Sequence, residues 1–124
     1  MSTIRANTLL HSDGSTTTEP SIPALDQRMA KAWVNYFSAG TVTIRSSYNV
    51  SSLTDIGIGT TTINFTTSLT NTTYVGVVSS SNTNTDVGNA DYMTTRTVSS
   101  CNVNTNEGGT LRDSSDVNAI VFGN

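Results

Sequence analysis

From Gly40 to Asn124 the chain repeats one pattern: short runs in which apolar and hydroxyl residues alternate, each closed by Gly, Asn, Asp or Ser. Alternation with period two sends successive side chains to opposite faces of a strand, whereas a helix needs a period near 3.6. "TVTIRSSYNV" alternates through Val42 and Ile44. "SSLTDIGIGTTTINFTT" reads as a hairpin, with Leu53 on one arm, Gly57 and Gly59 at the turn, and Ile63 and Phe65 on the other arm. "TYVGVVSSS" alternates through Val75 and Val77, and "DYMTTRTVSSCNVNT" offers Tyr92, Val98, Cys101 and Val103. "DVNAIVFGN" puts Val117, Ala119 and Val121 on one face, with Ile120 and Phe122 on the other, and predicts a strand that ties this end into a sheet. About six or seven strands separated by turn residues predict a mainly β, antiparallel sandwich or barrel-like domain over residues 39–124.

Composition agrees with that class and narrows the function. Only 12% of residues are charged, against about 25% in a typical soluble domain. Thr, Ser and Asn fill the gap, supplying roughly two residues in five. Thr and Val suit pleated, half-buried surfaces. A net charge of −3, with six scattered basic residues, leaves no basic footprint for nucleic acid. No apolar run nears the roughly 18 residues of a membrane span, and no secretory signal is expected at the start. The single cysteine, Cys101 in "VSSCNVN", reads as a buried small hydrophobe.

Two segments precede the β region. Residues 1–20 hold a short alternating run, "TIRANTLL", then a Ser12-Asp13-Gly14-Ser15 turn and the spacer-like "STTTEP". This arm has too little apolar surface to fold alone. Its apolar residues Ile4, Leu9 and Leu10 are the expected contacts with a partner protein or a neighbouring subunit. Residues 21–38 are predicted as a short amphipathic helix over Ser21–Phe37, capped by Ser21 with Pro23 in its first turn. Ile22, Leu25, Met29, Ala32 and Tyr36 recur at spacings of three and four, a two-heptad seam, and Trp33 lies beside it. A helix this short is marginal in isolation and must pack on its own sheet or on copies of itself. The thin core expected of the β region favours copies, so these six residues are the predicted subunit interface.

Catalytic chemistry finds little to work with. His11, the only histidine, sits in the polar arm, and a Ser–His or Cys–His pair would have to recruit it from there. The acids mostly stand beside Gly, Ser or Asn, where a turn or cap role is the default. Glu107, Asp113 and Asp116 could hold a Ca²⁺ but match no loop motif, so no metal or other cofactor is expected. The Asn-x-Ser/Thr triplets at Asn49, Asn64 and Asn71 follow from composition. The polar loops "SSSNTNTDVGNAD" and "NTNEGGTLRDSS" are candidate receptor contacts through Asn82, Asn84, Asp86, Asn89, Asn104, Asn106 and Glu107. Tyr92 or Tyr74 could serve there as a platform for a sugar.

The stretch "KAWVNYFSAGTVTIRSSYNVSSLTDIGIGTTTINFTTSLTNTTYV", with the terminal "VNAIVFGN", resembles domains of tail-fibre and related virion proteins of tailed bacteriophages, marine and cyanobacterial ones included. "MSTIRANTLLHSDGS" resembles the short segment that opens such fibre proteins. The pattern departs at Tyr36-Phe37, where a single Phe is usual, and Ser79 to Asp116 is least alike. The resemblance implies a non-enzymatic structural protein of the virion, made in the host cytoplasm and typically a homotrimer. Such a protein projects from the particle and contacts a host surface glycan or protein. A capsid decoration or head-fibre protein is the alternative, and a glycan-processing appendage enzyme a remote one. Neither nucleic acid binding nor membrane insertion is expected.

Overall fold

The structure is a computed structural model that describes residues 6–8, 10, 12–14, 25, 27–81 and 90–123. The fold is mainly β and antiparallel, consistent with the expected sandwich. Among the described residues ten strands form: β1 (Ala30–Phe37), β2 (Thr43–Tyr48), β3 (Val50–Gly57), β4 (Thr60–Phe65), β5 (Val75–Ser81), β6 (Tyr92–Thr94), β7 (Ser100–Asn104), β8 (Asn106–Glu107), β9 (Thr110–Leu111) and β10 (Asp116–Phe122). Sheet A has the order β2-β1-β10-β5, sheet B the order β3-β4-β7-β6, and β8-β9 is a small hairpin.

One core lies between the two large sheets. Sheet A supplies Ala32, Val34, Tyr36, Val117, Ala119 and Val121; Ile63, Phe65, Met93, Cys101 and Val103 face them from sheet B. The alternation read from the sequence is realised in several strands. Leu53 stands opposite Ile63 in the β3–β4 hairpin. Val117, Ala119 and Val121 are buried while Ile120 points outward at 40% exposure. Cys101 is fully buried, and burial pushes its thiol up to about 11. In β5 the alternation has the opposite sense: Val75 and Val77 face solvent, while Gly76 and Val78 turn inward. Gly76 leaves room for Met93, whose Cε would stand 2.4 Å from any added Cβ.

The expected helix over 21–37 is overturned across its second half, because Ala30–Phe37 is the inner strand β1, paired on both sides. Ala32 and Tyr36 lie four positions apart, a spacing that satisfies a heptad seam and a strand face equally well. Val34 between them settles the matter physically: it completes a period-two row and, being β-branched, suits a strand. Ala32 and Tyr36, expected at a subunit interface, face their own chain's core at 1% exposure. Trp33 points the other way at 37%. β1 is thus an inner strand of sheet A, ahead of the residue 39 at which the β region was expected to begin. Ahead of β1, Arg28 and Met29 donate backbone N–H groups to the Leu25 carbonyl in a single turn, and Leu25 and Met29 are exposed. Ile22 lies outside the described residues.

Two polar devices join the sheets. At Asn49 the chain leaves β2 and enters β3, crossing from sheet A to sheet B with φ of 54°. Its amide nitrogen donates to the carbonyls of Lys31 (2.9 Å) and Thr67 (3.1 Å), and its amide oxygen accepts the Thr67 N–H at 2.7 Å. Tyr74 is buried, its ring edge-on to Phe65 at 5.9 Å. Its hydroxyl donates to the carbonyls of Thr97 and Ser100 (3.1 and 3.0 Å). The β3–β4 turn is anchored too. Gly59 (φ +67°) donates its N–H to Asp113 at 2.7 Å, and a Cβ there would meet the Arg112 nitrogen at 2.5 Å.

Candidate functional site: the outer face of sheet A

The outer faces of the two sheets carry different chemistry. Sheet B presents hydroxyls and amides bonded across strands: Thr60 to Asn104 (3.0 Å), Thr62 to Asn102 (2.8 Å), and Asn64 to Ser52 and Thr54 (3.2 and 3.1 Å). Such pairs stabilise a sheet and leave it wettable. Sheet A has an apolar row instead. Register places Tyr48 beside Trp33, Trp33 beside Ile120, and Ile120 beside Val77, so one row crosses all four strands. Phe122 and Val75 pair just beyond it. Exposures of 37–40% for Tyr48, Trp33 and Ile120, and of 59% and 64% for Val77 and Val75, leave this row open to solvent. A shallow depression of about 200 Å³ runs between Trp33, Asn35, Asn118 and Ile120.

The next row is polar and internally bonded. Asn35 donates its amide to Asp116 Oδ1 (2.7 Å) and Asn118 Oδ1 (2.8 Å), and Asn118 donates to Asp116 Oδ2 (3.0 Å). Arg45 pairs with Asp116, bonds the Ser115 carbonyl at 2.7 Å, and lies 5.8 Å above the Phe37 ring. The Asn35 hydrogen bond, with those of Asn118 and Arg45, holds the Asp116 carboxyl below the usual carboxylate range against the opposing effect of burial. Bonds of this kind fix the rotamers beside the apolar row, so that side of the face is pre-organised.

Of the residues expected to contact a receptor, only Asn104, Asn106 and Glu107 fall among the described residues. Asn82, Asn84, Asp86 and Asn89 lie outside the described residues, as do Ile4, Leu9 and His11; Leu10 is 47% exposed. Asn104 belongs to the sheet B ladder. Asn106 is buried, its N–H on the Asp91 carboxylate (3.0 Å) and its amide on the Ala90 carbonyl (3.1 Å). Glu107 pairs with Arg112 at 2.9 Å. These three bind the fold together. Tyr74 is likewise buried and cannot offer a stacking face, while Tyr92 is exposed. Glu107, Asp113 and Asp116 each turn to a different partner, and the described residues contain no group of three His, Cys, Asp or Glu placed to hold a metal. Among the described residues no helix is long and apolar enough to cross a membrane.

The apolar row went unread in the sequence, although a signal was there. "YVGVV" and "AIVF" carry apolar residues on both parities of a strand, which means that both faces seek cover. No protein family, curated protein or solved structure matches the chain.

Proposed function

We propose that this chain is a non-enzymatic structural subunit of a tailed-phage virion, a tail fibre or fibre-like appendage, that docks through the outer face of sheet A. The observation that carries the docking role is the row Tyr48–Trp33–Ile120–Val77, open on a sheet whose neighbouring side chains are held by hydrogen bonds. An aromatic-centred apolar row of this kind on a hydroxyl-rich exterior is the signature of a protein contact. The virion assignment rests on the resemblance of "KAWVNYFSAGTVTIRSSYNVSSLTD" and "VNAIVFGN" to fibre domains. In that setting the face meets another virion protein or the host surface.

Imaging of purified particles carrying a gold-labelled tag on this chain tests the assignment. Label on a tail appendage is the expected result. Label on the head shell alone replaces the appendage with a decoration protein, and particles without label refute the virion role. Trp33→Ala is expected to fold and to lower the copy number per particle. Unchanged incorporation would remove the outer face of sheet A from the docking role.

A further inference from the structure

The two large sheets have four edge strands, and three are guarded against pairing with another chain. β2 carries Arg45, and its pairing with β1 is interrupted by a register shift at Asn35/Tyr36. β3 carries Asp55 and shifts register at Val50/Ser52 and again at Asp55/Gly57. β6 is only three residues long. Charge, bulges and shortness are the ordinary means by which an edge is made unattractive to a foreign strand. β5 has none of them. It runs seven residues, "VGVVSSS", without a charge or a proline, and holds an unbroken seven-pair register with β10. Among the described residues no strand pairs with its other edge.

We infer that β5 pairs antiparallel with β5 of a second copy about a two-fold axis at Val77, fusing two sheets A into one of eight strands. A two-fold axis sets each strand against itself, so a charged edge would face its own charge. β2 would bring Arg45 near Arg45 and β3 Asp55 near Asp55, whereas β5 brings none. Centred on Val77, the register sets Val77 beside Val77, Gly76 beside Val78, and Val75 beside Ser79. These pairings keep parity, so outward residues stay outward. The apolar row then continues across the junction, from Tyr48, Trp33, Ile120 and Val77 of one copy into Val77, Ile120, Trp33 and Tyr48 of the other. Val75 and Val77, the most exposed members of the patch, thereby gain cross-strand neighbours.

The solution mass of the full chain, measured across a micromolar dilution series by light scattering, tests the pairing. The expected result is a reversible species of twice the 13.1 kDa chain. Val77→Lys places like charges opposite each other at the axis while leaving a side chain that already faces water. It is expected to weaken the dimer roughly tenfold or more with the circular dichroism spectrum unchanged. Thr43→Lys, on the β2 edge, should leave the mass unaltered. Should Val77→Lys fail to fold, hydrogen exchange of the unsubstituted chain decides: the amides of 75–79 that point away from β10 should exchange faster on dilution, while those of β4 should not. A monomer at tens of micromolar overturns the proposal. So does an oligomer of any size that folded Val77→Lys leaves intact, or exchange in β5 that ignores concentration. Particle imaging is independent of all of these readings.

Discussion

Replacing Asn49 with alanine probes how much of the join between the sheets depends on one side chain. Alanine removes three hydrogen bonds: to the Lys31 carbonyl at 2.9 Å, to the Thr67 carbonyl at 3.1 Å, and from the Thr67 N–H at 2.7 Å. An intramolecular hydrogen bond is worth about 0.5–1.5 kcal/mol net. The two at Thr67 are solvent-exposed and belong at the bottom of that range. Alanine must also hold the left-handed φ of 54°, which costs about 1–2 kcal/mol without the local bonding that lets Asn tolerate it. Together these give a loss of about 2.5–4.5 kcal/mol, a large share of the 5–15 kcal/mol typical of a domain. Asn49→Gly loses the same bonds but adopts the angle freely, so it should fall about 1 kcal/mol short of the alanine loss. Urea unfolding followed by Trp33 fluorescence measures both, provided the slope with denaturant is unchanged. An alanine variant within 0.5 kcal/mol of the parent, or a glycine variant less stable than alanine, would refute the reasoning.

Tyr36→Ala should destabilise by about 3–5 kcal/mol, since the ring is fully buried, whereas Trp33→Ala should cost no more than about 2 kcal/mol; calorimetry showing the reverse order would place the core on the wrong face of β1. Cys101 should resist thiol reagents in the folded protein, because it is buried and its thiol is pushed up to about 11; labelling faster than global unfolding would contradict that burial. Asp116 has a depressed folded-state pKa, so its contribution is complete above the ordinary carboxylate pKa of 3.8 and is lost as pH falls through the lower folded value. Asp116→Asn should therefore narrow the stability gap to the parent on acidification below about pH 4, an effect kept small by the solvent around the Arg45 pair. A gap that widens with acid would reverse the sign assigned to this carboxylate.

Local pattern carried much of the β architecture. The β3–β4 hairpin was legible because two glycines sit between apolar arms, and Gly59 does meet a backbone too close to allow a side chain. β10 was legible because Val117, Ala119 and Val121 alternate without interruption. β1 was misread because a spacing of four fits both a helix and a strand, and two short turns of seam outweighed Val34. The amides of Asn104 and Asn106 looked like loop-tip donors, since nothing local distinguishes an amide facing solvent from one bonded across a sheet. The outer row was hidden more deeply. Trp33 and Ile120 are neighbours only because β1 lies against β10, a pairing set by the whole core and invisible to any short window.

That same pairing has a consequence for how the molecule is made. Asn35 in β1 and its partner Asp116 are 81 positions apart. A ribosome adding about 5–20 residues per second emits β10 on the order of ten seconds after β1. In that interval β1 can zip with β2, but its other edge and the row Ala32, Val34 and Tyr36 stay uncovered. Every nascent chain therefore passes through a half-built sheet that is stickier than the finished one. Crowding of these intermediates, more than the stability of the completed domain, should govern the yield of folded protein.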